Sequence, residues 1–527
     1  MFFLCQKDLF LQPHWAQFLL CRFSSMQMNV KISNTLRARD LVILALTILL
    51  LAEMVNAMHW REGGFGTGDV LRVAVPKHEW VRGAVPQFGP GFEQELLDAY
   101  CRDNGLRWKR LTPASWDEAW DMLRDGRADV VLGLGSTPPA DLAETVAPGP
   151  VYASFNPVII HNNRRYGVRQ DCEMCDRPIL VSSNTELHDA LQDKAAGMDC
   201  TPSAVVSDGL DILPLLETLS ANQARFALVD EGRFRLWQPF YYQLRMSRAL
   251  PGAIDYRWYW NTHDEARDSS LEAFWTRMDQ SPKLADLYDK YFGFLPEDGD
   301  AFEVFHLQKT LREALPKYGA AIARAALKND IDPLLLVAVI YQESRFDENA
   351  RSKTGVRGLM QITTDTARLL GVDRTDPLES IKGGARYLRM LHDNVPAAGL
   401  DERTRWLFAL AAYNRGPGHL TDALDLSRRL GGYGNSWREL KDVFPKLAWE
   451  RWYKDTKYGY TRGYEVVNYV ERIRYFHYIL RGLVTLERPE AELLAAVYGG
   501  KKGAQARAKL AAAPQPTAAK RDVALAQ

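Results

Sequence analysis

The sequence predicts two regions of different fold class: an α/β region with a mainly parallel sheet over about 68–295, then a mainly α bundle around a groove over about 300–488. Alternating strand-like and helical patterns predict the first. Apolar residues at helical spacing, with no competing strand pattern, predict the second. The short polar stretch Pro296-Glu297-Asp298-Gly299-Asp300 separates them. A chain of 527 residues has room for two or three such domains.

The N-terminal residues stand apart. Residues 41–52 carry no charge apart from what precedes them, Lys31, Arg37 and Arg39, and Val55-Asn56-Ala57 follows as a small-residue cleavage site. Residues 1–57 therefore read as an extension plus secretory signal peptide, cut after Ala57, with a retained signal anchor as the alternative. Translation starting at Met26 or Met28 would give a more usual signal. Phe18-Leu19-Leu20-Cys21 lacks the small residue that a lipid-modified Cys needs. Lys+Arg and Asp+Glu are both 66, so no excess of positive charge suggests a nucleic-acid partner.

In the first region, residues 70–75 alternate as a strand, 91–100 follow a helical pattern, and 106–111 are strand-like. Residues 115–125 are helical with Ser115 as N-cap, and 128–134 form a buried strand. Beyond the expected cleavage point four cysteines remain: Cys101, Cys172, Cys175 and Cys200. In an oxidising compartment disulfides are the first reading, with all three pairings open. Zinc would want a second ligand pair beside Cys172 and Cys175, so no metal is expected, nor any cofactor.

In the second region, Asp332-Pro333 supplies an N-cap and a residue suited to the first helical position, ahead of the apolar run 334–341. That helix ends on Glu343. Burial and the negative end of the helix dipole both disfavour a charged carboxylate there and raise its pKa. A carboxyl that keeps its proton near neutrality can protonate a leaving oxygen. The local alternative is a cap, or a pair with Arg345. Further helices are expected at 363–370, at 380–392 after Asp376-Pro377, at 405–413 ending on Asn414 before Gly416-Pro417-Gly418, and at 464–483. Residues 489–527 read as a disordered tail, with a frayed helix at 489–498 as the alternative.

Five elements follow one another in the second region: Glu343-Ser344, Ser352 nine residues after Glu343, Gly358-Leu359-Met360-Gln361, Ala412-Tyr413-Asn414, and the late Tyr469. Together, across about 300–485, they resemble the soluble lytic transglycosylase catalytic domain, a goose-lysozyme-like helical bundle that cleaves peptidoglycan. Each tripeptide is a weak signal; the ordered set is a strong one.

The first region resembles the type-3 periplasmic solute-binding domain. Gly126-Arg127-Ala128-Asp129 looks like that family's strand entry, Pro148-Gly149-Pro150-Val151-Tyr152 like its crossing into a second lobe, and residues 284–293 like its closing helix. The resemblance implies two α/β lobes about a cleft, lobe 2 being about 157–245. Amino-acid-binding members grip the ligand carboxylate with an Arg just beyond Gly135. Here 136–163 holds no Arg or Lys, and Leu142 stands at that place. A peptide-sensing or vestigial cleft is the expectation. Trp258, Tyr259 and Trp260 could line it, although core positions are the commoner fate of such residues.

The catalytic resemblance implies an enzyme with one essential carboxylate. Glu343 would protonate the glycosidic oxygen between N-acetylmuramic acid and N-acetylglucosamine, then act as base while the muramoyl C6 hydroxyl closes a 1,6-anhydro ring. Ser352 would bind the muramoyl acetamido group. Gln361 and Asn414 would bind sugars or orient Glu343, and Tyr413 and Tyr469 would contact the sugar ring near Glu343. The implied partner is the peptidoglycan glycan strand, with a muropeptide or stem peptide as possible ligand of the first domain. The implied location is the periplasm, peripherally attached to the outer membrane. Two alternatives stay open: a water-using muramidase, for which Asp347 and Glu348 are the near second carboxylates, and a solute-binding protein with an inactive helical domain. All signature residues lie beyond the linker, so 300–488 is expected to cleave alone.

Overall fold

The computed structural model describes residues 70–76, 91–182, 184–207, 211–296, 299–352, 355–486 and 488–498; the expected signal segment lies outside them. Strand β1 (Val70–Ala74) leads to α1 (Phe92–Asp103), β2 (Arg107–Leu111), α2 (Trp116–Arg124) and β3 (Val130–Leu134). Helices link these strands, and β1 accordingly pairs in parallel with both β2 and β3. Ser115 caps α2 by accepting from the Glu118 amide, as the sequence predicts.

Short strands β4 (Val146–Pro148) and β5 (Ala153–Phe155) carry the chain to a second sheet. It comprises β6 (Pro157–Asn162), β7 (Ile179–Ser182), β8 (Ala204–Ser207), β9 (Phe226–Asp230) and β10 (Leu244–Ala249), in the order β10-β6-β9-β7-β8. Helices α3 (Thr185–Ala195), α4 (Leu213–Ser220) and α5 (Glu231–Trp237) lie between them in sequence. Strand β11 (Ile254–Asn261) then returns to the first sheet, followed by α6 (Glu265–Asp279) and α7 (Lys283–Phe292). The expected mainly parallel sheet is corrected here. Both sheets are mixed, because β11 runs against β3, β4 and β5, while β6 runs against β9 and β10.

Trp258 and Trp260 belong to the core of the first lobe, with Phe274 and Trp275. Tyr259, 3% exposed, borders a small inter-lobe cavity of about 290 Å³ that also touches Gly135, Ser136, Glu186, Asp255 and Arg257. Leu142 is buried. Arg257 brings a cation to the cleft from β11, far in sequence from the 136–163 window. Cys175 is bonded to Cys200, Cys101 is buried and free, and Cys172 is exposed and free. The Cys172–Cys175 spacing thus supplies no ligand pair.

The helical region begins with α8 (Ala301–Asn329), capped by Asp300, and α9 (Pro333–Ser344), capped by Asp332, whose carboxylate accepts from the Leu334 amide. Every residue of 334–341 is buried, so α9 is apolar on all sides and forms the axis of the bundle. Around it come α10 (Thr364–Leu370), α11 (Pro377–Asp393), α12 (Glu402–Arg415), α13 (Pro417–Arg429), α14 (Trp437–Val443), α15 (Glu450–Tyr453), α16 (Gly463–Thr485) and α17 (Ala491–Ala495).

Two expectations change. Residues 489–498 are not disordered: Leu494 and Val497 are fully buried in the core that includes Leu311 and Leu315 of α8. The tail from 499 lies outside the described residues. The polar linker also separates the regions less than its composition suggests. Phe234, Trp237, Phe240 and Phe294 share one apolar cluster with Val304, Tyr478 and α9. The Tyr478 hydroxyl donates to Leu236 O at 2.7 Å, and Arg474 reaches the Asp289 carboxylate at 3.1 Å.

Candidate active site

Glu343 occupies the last turn of α9, where the apolar helix meets the surface. The residue keeps an edge to solvent while its carboxyl is enclosed. Burial pushes its pKa up to about 7, and a hydrogen bond from Tyr469, which favours the charged form, pulls against that rise. The Tyr469 hydroxyl donates to Glu343 Oε1 at 2.5 Å. Tyr469 is itself buried on α16, so this pair spans 126 residues of sequence.

The end of α9 is fixed by its neighbour. Ser344 Oγ donates to Leu359 O at 2.8 Å, tying Glu343 to the Gly358-Leu359-Met360-Gln361 segment. Arg345 and Phe346 then turn the chain in the left-handed region, at φ 52° and 63°. Gly358 sits at φ 78°, and a Cβ there would lie 2.0 Å from Arg374 O, so the loop admits only glycine. Ser380 Oγ accepts from the Met360 amide at 3.1 Å.

The other expected residues divide. Tyr413 lies near Glu343, whose negative charge joins burial in raising the tyrosine pKa. Its hydroxyl donates to Met360 O at 2.8 Å, joining α12 to the same loop. Asn414 follows, half-buried, and its Oδ1 is enclosed without a hydrogen bond from the described residues. Gln361 is turned elsewhere. At φ 47°, it donates through Nε2 to Ala350 O at 3.1 Å and Gly358 O at 2.9 Å, so it braces the loop. Ser352 Oγ accepts from the Val356 amide at 3.2 Å, closing the turn that contains Gly355.

Thus Glu343, Tyr469 and Tyr413 lie together, Asn414 follows Tyr413 on α12, and Gln361 and Ser352 belong to the loop that Tyr413 and Ser344 tie to them. Ser344 and Ser380 were missed by sequence reasoning. Ser344 could have been found as the partner of Glu343 in the Glu-Ser pair; Ser380 carries no local signal. Glu348 accepts from the Tyr318 hydroxyl at 2.7 Å, and Asp347 caps the Asn349 amide at 2.9 Å. Both near carboxylates thus have donors of their own, and neither is hydrogen-bonded to Glu343. Among the described residues no three His, Cys, Asp or Glu side chains gather as a metal site.

Glu343, a carboxyl that burial pushes up to about 7, with Tyr469 bonded to it and Tyr413 nearby, is suited to proton transfer near neutral pH. A family model described as Transglycosylase SLT domain matches residues 320–433. The membrane-bound lytic murein transglycosylase F of Pseudomonas fluorescens is 31% identical over 395 residues, covering 74% of this chain and 80% of that one. Its counterpart in Ectopseudomonas mendocina is 34% identical over 398 residues, with the same coverage of each. Among solved structures, the substrate binding protein of an amino acid ABC transporter aligns with a TM-score of 0.35 and 14% identity, over 42% of this chain and 99% of that one. At the identity and coverage of its sequence relatives, the chain belongs to the membrane-bound lytic murein transglycosylase F family.

Proposed function

We propose that the protein cleaves the β-1,4 bond between N-acetylmuramic acid and N-acetylglucosamine in peptidoglycan, forming a 1,6-anhydromuramoyl end. The observation that carries the reading is Glu343: a carboxyl raised to about 7 and held at 2.5 Å by Tyr469. Protonated Glu343 gives its proton to the glycosidic oxygen as the C1–O bond breaks. The resulting carboxylate takes the proton of the muramoyl C6 hydroxyl, whose oxygen bonds to C1 and closes the ring. Glu343 ends protonated and no water is consumed. The nucleophile belongs to the substrate, so its attack gains the high effective molarity of an intramolecular reaction. A retaining or inverting hydrolase uses a second carboxylate, and the engagement of Asp347 and Glu348 elsewhere favours the lyase reading. Asn414 Oδ1 accepts from a substrate N–H or O–H, while Gln361 and Ser352 hold the loop that borders the sugar. Digestion of purified peptidoglycan, with termini identified by mass, tests this. Anhydromuramoyl ends are expected; reducing ends in their place would move the enzyme to the hydrolases.

The two-lobed domain is assigned a regulatory, ligand-sensing role. The Thr137 amide, three residues beyond β3, is already taken by the Glu186 carboxylate at 2.5 Å, and Asn184 Nδ2 donates to Gly135 O at 2.9 Å. Glu186 and Asp255 outnumber Arg257 around the cleft. A free amino-acid carboxylate meets repulsion there, whereas a stem peptide on a peptidoglycan fragment adds contacts outside it. Calorimetry on the full chain checks this: muropeptides should bind, and tight binding of free amino acids instead would refute it. The proposed location is the periplasm, peripheral to the outer membrane; no described helix is long and apolar enough to cross a membrane. Cell fractionation tests that placement.

A further inference from the structure

Glu303 opens α8 three residues after its cap Asp300, yet it is only 5% exposed. A carboxylate in a first helical turn is well placed for the helix dipole while facing water; this one is turned inward instead. Three donors meet it there. The Tyr341 hydroxyl donates to Oε1 at 2.8 Å, and Arg345 Nη2 donates to Oε2 at 2.9 Å. Arg472 Nη2 pairs with the same Oε2 at 3.2 Å. Arg472 further donates through Nε to Gln342 Oε1 at 3.1 Å.

The placement of these partners matters. Tyr341, Gln342 and Arg345 bracket Glu343 along the chain. Arg472 stands about one helical turn beyond Tyr469 on α16, the residue whose hydroxyl holds Glu343. Arg345 is also the first of two left-handed residues, a backbone state that a non-glycine residue keeps only when its surroundings hold it there. One carboxylate thus fastens both halves of the Glu343–Tyr469 pair and steadies the turn that follows.

We propose that Glu303 is a positioning residue for the reaction, aligning the α9 terminus with α16 so that Glu343 and Tyr469 meet, and balancing the two guanidinium groups beside them. It touches no reacting atom. The inference rests on the reading of Glu343 as the general acid. The charged and titratable groups around the two carboxyls come from several elements, Tyr341 of α9 among them. From α8 come Glu303 and His306, whose Nδ1 lies 3.4 Å from the Tyr341 hydroxyl. From α16 come Arg472 and Tyr469, from α12 Tyr413, and from the turn after α9 Arg345.

Two single variants and their double test this in the full chain, with soluble glycan strands as substrate. Glu303→Gln removes one negative charge and leaves both arginines, so the field at Glu343 becomes more positive and favours its ionised form. The alkaline limb of kcat should then move to lower pH. Arg472→Gln removes a positive charge, and its limb should move to higher pH. In both, kcat should fall roughly 10- to 100-fold, the scale of a small misplacement at a reacting centre, with KM nearly unchanged. Residues acting through one contact are not additive, so the double variant should lose no more than the worse single. Circular dichroism and an unfolding midpoint establish that each variant folds; if Glu303→Gln does not, the Arg472→Gln limb decides. A folded variant with wild-type kcat and an unmoved limb would overturn the proposal, as would single losses that multiply in the double. Wild-type protein and Glu343→Gln run alongside. An inactive wild type or an active Glu343→Gln overturns the underlying reading, whereas failure of the Glu303 and Arg472 variants alone overturns only this one.

Discussion

Replacing Tyr469 by Phe removes one hydroxyl from the site and keeps the buried ring that α16 packs into the core. That hydroxyl is the one hydrogen-bond donor identified as opposing the effect of burial on Glu343. A hydrogen bond to a charged group is worth about 1.5–3 kcal/mol, and one pKa unit corresponds to about 1.4 kcal/mol. The donor stabilises the carboxylate more than the acid, so its loss favours the acid and raises the Glu343 pKa from about 7 by roughly one to two units. A general acid works only while protonated. The alkaline limb of the rate should therefore move to higher pH by that amount, so the variant retains a larger share of its own maximum in mildly alkaline buffer. Its plateau should nonetheless fall, because the carboxyl has lost the partner that aims it, and a displacement of about 1 Å at a reacting group is worth about 10²-fold. The assay is the initial rate of soluble muropeptide release from purified peptidoglycan, followed from mildly acid to mildly alkaline pH in wild type and variant. A limb that stays in place, or moves toward acid, would refute the argument that Tyr469 tunes this carboxyl.

Glu343→Gln should abolish muropeptide release while leaving the circular dichroism unchanged, since it keeps size and removes the proton. It should also alter stability with a definite sign. The Glu343 pKa is raised from 4.5 to about 7 on folding, so its contribution is fully present below the unfolded value and is lost as pH rises through about 7. The neutral variant escapes that loss and should exceed wild type above that pH by up to about 3 kcal/mol, read from denaturant midpoints; equal stability at all pH would contradict the burial. The helical region expressed alone should span 299–498, because Leu494 and Val497 are core residues. Even so, it leaves the buried Arg474 without Asp289 and uncovers Tyr478 from Phe240 and Phe294. Arg474 keeps Glu471 at 2.8 Å, but the lost apolar cover should leave the fragment unfolding at a lower temperature than the full chain and cleaving only below that midpoint. Matching midpoints would mean the shared cluster contributes little.

What the sequence made legible was local. The Asp332-Pro333 pair, the unbroken apolar run behind it and the carboxylate at its end specify α9 and the surroundings of Glu343 with no knowledge of the rest, because capping and burial act within a few residues. Motif order placed Tyr413, Asn414 and Tyr469 in one region but could not give the direction of a side chain. Gln361 shows why: its left-handed backbone turns the amide onto Ala350 O and Gly358 O, a choice made by loop geometry. Arg257 reached the cleft from a returning strand, outside the window where a cation was sought. The polar linker concealed the common core because its few residues say nothing of what Phe240 or Phe294 meets 180 or more residues later.

Helix α16 gathers most of what was illegible. Along one helix, Tyr469 reaches Glu343 at one end of α9, while His477 and Arg481 reach Asp332, the cap at its other end, at 3.3 and 2.9 Å. Between them, Arg472 meets Glu303 at the start of α8, Arg474 meets Asp289 of α7, and the Tyr478 hydroxyl meets Leu236 O in the last turn of α5. Side chains at these spacings radiate around the helix, so a single rigid rod contacts both ends of the central helix and two elements of the two-lobed domain. Packed interiors deform little and pass displacement on. A shift of α7 that broke the Asp289–Arg474 pair would act on the same rod that carries Tyr469, about one and a half helical turns away. Asp289 of the two-lobed domain and Tyr469 are therefore joined through one ion pair and one helix. Asp289 pairs with Arg474, and Tyr469, five residues before it on α16, donates to Glu343.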